Sequence, residues 1–224
     1  MSTTGDEIDP RRAVLARYDI LDTAPETAFE DVVRLAAMLL EMPVSLVSLV
    51  DADRQWFKAR IGFPRSETTL SESICAHAIR SDETFVVSDL SADERFRDMT
   101  PVQGEDGIRF YAGTPLVMND GVRLGTLCVV DVVARDGLDG EEQQALEALA
   151  RRTVAAMELR RDLREGRPDT RDALVADAAR HLSAARAALE LVGCTAILPH
   201  LEHVVSEVEA LATTRPDTEV TATA

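Results

Sequence analysis

The chain has 224 residues, with 24 basic and 40 acidic side chains and a formal net charge of −16. Nucleic-acid binding needs Lys and Arg clustered against phosphates, and an anionic membrane surface asks for the same, so this balance speaks against both partners. A hydrophobic fraction of 46% is far above that of disordered chains, and the length suits one domain of ordinary size with an appendage.

Residues 1–10 are polar and read as a loose terminus. They carry acids where a secretory signal is basic, and no apolar run reaches the roughly 18 residues of a spanning helix, so a cytoplasmic protein is expected. Asp9 as N-cap and Pro10 at the first helical position open a short helix over Arg11–Tyr18. Phe29, Val32, Val33, Leu35, Ala36, Leu39 and Leu40 follow at helical spacing and predict an amphipathic helix over about 25–41. Val44–Val50 is dense in apolar and β-branched residues and reads as a buried strand. Asp51–Arg54 is turn chemistry, and Gln55–Ile61 alternates, which makes a hairpin.

Ser73–Arg80 reads as a short helix and Thr84–Val87 as a short strand, with a polar loop over Asp89–Gly107. Arg109–Met118 and Val122–Val130 form a second hairpin around Asn119-Asp-Gly121. Gly125, inside that last strand, suggests a bulge or a close backbone approach. From the N-cap candidate Asp139 a long helix runs to about Arg164. After a linker at 165–171, two helices with apolar spacings alternating three and four form a helical hairpin over 172–213, with Gly193 as a C-cap. Residues 214–224 are Thr-rich and expected to be disordered. The order predicts an α+β fold, an antiparallel sheet with helices on one face, over residues 11–164.

Six strings in this order resemble the GAF domain family of small-molecule sensing modules. They are Arg17–Thr23, Val47–Ala59, Ser73–Ile79, Asp89–Phe96, Ile108–Leu116 and Leu124–Asp131. The resemblance implies a six-stranded antiparallel sheet with the terminal helices on one face and a ligand cavity on the other. It implies frequent dimerisation through those helices. The strings are similar to the bacterial subgroup found before histidine kinases and diguanylate cyclases, so a homodimer and a separate kinase or cyclase partner are expected. No kinase glycine lid and no cyclase GG[DE]EF string occurs in the sequence.

The candidate cavity residues are Trp56, Cys75, His77, Arg109, Phe110 and Tyr111. The aromatic fraction is only 4%, so rings gathered beside the matching strings stand out. Alternation along a strand keeps Arg109–Tyr111 from all facing one way, so ligand-facing and structural roles both stay open. Cys75-x-His77 could pair a thiol with a base, giving a redox enzyme similar to GAF-type methionine sulfoxide reductases. Those use several cysteines between this helix and the following loop, and only Cys75 falls there. Cys128 lies in the final strand, and no resolving cysteine is evident. The bland reading, a packed cysteine and histidine at the cavity wall, is favoured.

Bilin-binding members carry their cysteine further along, in a segment that here holds none. Cyclic-nucleotide members carry an Asn-Lys…Phe…Asp-Glu signature, whereas the single lysine, Lys58, sits on a strand. No cofactor is expected, and Cys75, Cys128 and Cys194 show neither metal spacing nor a disulfide framework. His200 and His203, three apart, are expected on a solvated helix face rather than at a metal. Ser66–Ile108, the segment the resemblance places over the cavity, holds ten acids against three arginines, which favours a neutral or cationic small-molecule ligand.

Overall fold

Antiparallel pairing organises the chain from Val44 to Asp131 into one sheet. The computed structural model describes residues 10–166 and 198–213, together with 174, 175, 178, 179, 182, 183 and 186. Two units divide the chain, one ending at Arg161 and the other beginning at Asp162.

In the first unit, α1 spans Pro10–Tyr18 and α2 Thr27–Leu39. The strands are β1 (Val44–Val50), β2 (Arg54–Ile61), β3 (Glu67–Thr69), β4 (Phe85–Val87), β5 (Phe110–Val117) and β6 (Arg123–Asp131). Their order is β3-β2-β1-β6-β5-β4, each neighbouring pair antiparallel. The sequence does not predict β3, because three residues are too few to show an alternation. The short helix α3 shrinks to Cys75–Ala78, and α4, Gly140–Arg164, belongs to this unit as far as Arg161. Asp139 starts α4 as expected: its Oδ1 accepts from the Glu141 and Glu142 amides while Glu142 Oε2 accepts from the Asp139 amide, a reciprocal capping box.

The sheet separates two cores. On one face α1, α2 and α4 bury Leu15, Tyr18, Phe29, Val32, Leu146 and Met157 against Val47, Leu49, Phe110, Leu127 and Val129. On the other, α3 and the loop after β4 bury Ile74, Ala78, Leu90, Phe96 and Val102 against Leu46, Phe57, Tyr111 and Cys128. Gly125 pairs with Leu49, and a Cβ there would run into the Ser48 carbonyl, so the close backbone approach is the reason for glycine.

One irregularity sets the helix-facing core. The β1–β2 register shifts between Val47 and Ser48, which pair with Ala59 and Phe57 and leave Lys58 as the extra residue of a bulge. Its ammonium points into the helix layer with no side-chain exposure. There it donates to Thr23 Oγ1 at 2.8 Å, the Ala24 carbonyl at 2.8 Å and Glu26 Oε1 at 2.6 Å. Arg160 of α4 donates to the same carboxylate oxygen at 2.9 Å and to the Tyr18 carbonyl at 2.8 Å. Burial pushes the Glu26 carboxyl up, but the hydrogen bonds from Lys58 and Arg160 outweigh it and hold the pKa below the ordinary glutamate value. Glu26 stands at the N-cap of α2 without capping it, because its carboxylate is committed to these two cations.

In the second unit α5 spans Leu198–Thr213. Of the helix expected before it, residues 174, 175, 178, 179, 182, 183 and 186 are helical. Residues 1–9, the linker positions 167–171, Gly193, Cys194 and the tail 214–224 lie outside the described residues. No helix among the described residues is long and apolar enough to cross a membrane.

The two ends of the Lys58–Glu26 pair are unequal. Removing Lys58 leaves Glu26 about one-third exposed and still paired with Arg160, whereas removing Glu26 strands a fully buried ammonium. Glu26→Ala is therefore expected to cost about 3 kcal/mol in urea unfolding, and Lys58→Met clearly less. The depressed Glu26 pKa adds stability above the ordinary glutamate range that is lost as pH falls through the folded value, so the difference between wild type and Glu26→Ala narrows in acid. Equal losses, or a larger one for Lys58→Met, would refute this account of the Lys58–Glu26 pair.

Candidate functional site

A cavity of about 60 Å³ lies between the sheet and the cover formed by α3 and the neighbouring loops. β1 and β6 supply Leu46, Cys128 and Val130, β2 supplies Gln55 and Phe57, and β5 supplies Tyr111. Thr68 of β3, Phe63, Arg65, Glu72, Ile74, Cys75, Pro101 and Ile108 close it. The volume has room for about four or five waters and is well below the range of about 300–1,000 Å³ typical for drug-sized ligands.

Two buried thiols meet on the cavity wall. Cys75 Sγ at the start of α3 lies 3.8 Å from Cys128 Sγ on β6, and both are free. Tyr111 donates its hydroxyl to Cys75 Sγ at 3.3 Å, and Gln55 Nε2 donates to the same sulfur at 3.6 Å. Thr126 Oγ1 sits 3.4 Å from the Tyr111 hydroxyl. Burial opposes a charged thiol here, yet the hydrogen bonds from Cys128, Thr126 and Tyr111 outweigh it and bring the Cys75 thiol below its ordinary value. The hydrogen bond to Cys75, followed by burial, pushes Cys128 well up. Tyr111 is raised by burial and then by the two sulfurs, so it stays a donor. Its ring lies over Gly113, where any Cβ would collide with it, so the glycine two residues along the strand makes room for the aromatic ring.

Two polar atoms on the wall have no partner: Gln55 Oε1 and Thr68 Oγ1. Gln55 is 5% exposed and Thr68 9%, and the two residues face each other across β2 and β3. A buried acceptor left unpaired costs about 1–3 kcal/mol, which a donor on a ligand or water can recover.

Of the six candidate residues, the structure brings Cys75 and Tyr111 to the cavity. Trp56 and Phe110 belong to the opposite core, against the helices, because alternation turns Phe57 and Tyr111 toward the cavity and their neighbours away. Arg109 is a loop clamp: its guanidinium donates to the Val102 carbonyl at 2.7 Å and the Gly104 carbonyl at 2.6 Å. His77 does not face the thiol. Its ring meets Phe96 edge-on at 4.9 Å, since residues two apart on a helix point to different sides. Burial, then the charges of Arg80 and Arg95, hold its pKa below the ordinary histidine value.

The sulfur beside Cys75 is thus that of Cys128, which the sequence places on the final strand without showing that the two meet. Gln55, Thr68 and Cys128 escaped the sequence because only strand pairing brings them together, although Gln55 and Phe57 do share a parity on β2. The acidic cover does not reach the lining: of its ten acids only Glu72 lines the cavity, ion-paired with Arg65 at 3.1 Å. Elsewhere, an open depression of about 700 Å³ between β5 and α4 is lined by Asp82, Glu83, Glu147 and Arg151. Its Thr84 and Thr114 hydroxyls bond each other at 2.8 Å. Among the described residues no group of three or more His, Cys, Asp or Glu could hold a metal.

A model of the GAF domain family matches residues 24–157. A cyclic di-GMP phosphodiesterase of Pseudomonas aeruginosa is 39% identical over 145 residues, which is 65% of this chain and 25% of that protein. The chain thus spans about a quarter of the length of the curated relative it matches. Among solved structures, free methionine-R-sulfoxide reductase from Neisseria meningitidis in complex with its substrate is 18% identical, covering 68% of this chain and 91% of that one at a TM-score of 0.50. A bacteriophytochrome from the photosynthetic bacterium R. palustris is 14% identical, covering 76% of this chain and 41% of that one, also at 0.50. These two likenesses speak for the fold.

The Tyr111 hydroxyl favours the charged form of Cys75. Tyr111→Phe is expected to raise the apparent Cys75 pKa from about 6 by about one unit, which slows its alkylation about tenfold at a pH of about 5 and only about twofold at a pH of about 7. Mass spectrometry of the alkylated chain reads this directly, and an unchanged rate would remove Tyr111 from the thiol's environment.

Proposed function

We propose that this chain, which belongs to the GAF domain family, is a non-enzymatic sensor of a small neutral molecule. Family membership makes it a sensory or regulatory module. The observation that carries the ligand reading is the cavity with Gln55 Oε1 and Thr68 Oγ1 unpartnered inside it. A ligand of about five non-hydrogen atoms, apolar on one side and carrying an N–H or O–H donor on the other, fits that wall. With Arg65 and Glu72 neutralising each other at the rim, a neutral molecule is preferred over a cationic one. Binding would favour one arrangement of the flanking helices, read through a homodimer by a separate signalling kinase or cyclase in the cytoplasm. The relative from Pseudomonas aeruginosa, named for cyclic di-GMP hydrolysis, supports a nucleotide-second-messenger enzyme as the class of partner.

A thiol-dependent enzyme acting on methionine sulfoxide through Cys75 is the second reading. The Cys75–Cys128 pair favours it. The cavity volume argues against it, since free methionine sulfoxide needs more space than the lining leaves. Steady turnover of free methionine sulfoxide with a dithiol reductant, lost in Cys75→Ser, would overturn the non-enzymatic reading.

The main reading is tested by thermal shift over a library of small neutral amides, alcohols and ureas. A ligand that binds only the folded state raises the melting temperature as its concentration exceeds Kd. Thr68→Val and Gln55→Leu are each expected to weaken that ligand by about tenfold, the equivalent of one hydrogen bond. A ligand shifting wild type and both variants alike would place its site elsewhere.

A further inference from the structure

We propose that Cys75 and Cys128 are a peroxide-oxidisable dithiol, a modification site on the cavity wall that closes to an intramolecular disulfide. Packed cysteines usually act as small hydrophobes, but three features separate this pair from that role. The two sulfurs are 3.8 Å apart with no atom of another residue needed between them. Two donors, the Tyr111 hydroxyl at 3.3 Å and Gln55 Nε2 at 3.6 Å, converge on Cys75 Sγ. Both sulfurs line a cavity that has room for a few waters and whose rim includes the exposed Arg65 and half-buried Phe63 and Glu72. That space admits hydrogen peroxide or a small alkyl hydroperoxide and excludes bulky oxidants.

The roles follow from the donors. Cys75, held toward the thiolate, is the attacking sulfur, and Cys128 is the resolving one. The Cys75 thiolate attacks one peroxide oxygen, the O–O bond breaks, and the leaving oxygen departs as water or an alcohol after taking up a proton. Cys75 is then a sulfenic acid. Cys128 sulfur attacks Cys75 sulfur, the S–O bond breaks, and water leaves with the Cys128 proton. Two thiols have lost two electrons, and one peroxide has gained them. The sulfurs must approach from 3.8 Å to about 2.0 Å. α3 is only four residues long and packs on a strand in the middle of the sheet, so the approach has to come from the α3 side. Closure ties α3 to β6 and withdraws the acceptor from Tyr111 and Gln55, so the oxidised cavity differs from the reduced one.

The test uses the full reduced chain treated with hydrogen peroxide, then denatured, alkylated and analysed by mass spectrometry. Two of the three thiols are expected to escape alkylation, with a peptide linking Cys75 to Cys128 that dithiothreitol releases. Cys194→Ser keeps the link. Cys128→Ser stops at a sulfenic acid on Cys75 that dimedone traps, and Cys75→Ser leaves Cys128 alkylatable. Because the link is mapped on wild type, misfolding of a variant does not spare the proposal. Three reactive thiols after peroxide, a link through Cys194, or oxidation that starts at Cys128 would each overturn it. The outcome is independent of the neutral-ligand reading, whose thermal-shift assay is run under reducing conditions.

Discussion

A fully buried ammonium joins the sheet to the helices in this protein. Lys58 exists at that position because a bulge adds one residue to β2 and turns it toward the helix layer. A lone charge there would be prohibitive, so the surrounding chain is arranged around it. Thr23 and Ala24 bring the α1–α2 connection to the ammonium, Glu26 brings the start of α2, and Arg160 brings α4 to the same carboxylate. The hydrophobic core of Phe29, Val32 and Met157 could tolerate several helix placements, but the charge cluster tolerates few. Arg161 and Glu158 extend the same logic, pairing at 2.7 Å beside the Tyr18 hydroxyl, which donates to Glu158 at 2.9 Å.

That rigid face leaves the other free for chemistry. The same strands that hold the helices with Trp56, Phe110 and Leu127 present Phe57, Tyr111 and Cys128 to the cavity, one residue out of phase. Glycines fix two close approaches: Gly125 lets β1 lie against β6, and Gly113 lets the Tyr111 ring reach the thiols. Arg109 holds the loop at Val102 and Gly104 as part of the cover. The cavity is therefore bounded by a firm sheet floor and a cover built from a four-residue helix, short turns and loops, the arrangement in which a small occupant or a covalent bond has most leverage.

The sequence by itself determined the fold class and nearly all of its elements. Helical spacing placed α2, β-branched density placed β1, the Asn119-Asp-Gly121 turn placed the last hairpin, and Asp139 placed the start of α4, since each signal lies within a few residues. Two of its six candidates, Cys75 and Tyr111, line the cavity between the sheet and α3. Tertiary structure alone decided the rest. β3 is too short to carry a period, and the bulge at Lys58 is a property of two paired strands, not of one. Which face of β2 and β5 holds the cavity depends on register, so Trp56 and Phe110 could not be separated from Phe57 and Tyr111 by sequence. The partner of Cys75 is 53 residues away, and only the packing of α3 on β6 reveals it. Chemistry at the cavity rests on contacts distant along the chain, and those are the contacts a local pattern cannot encode.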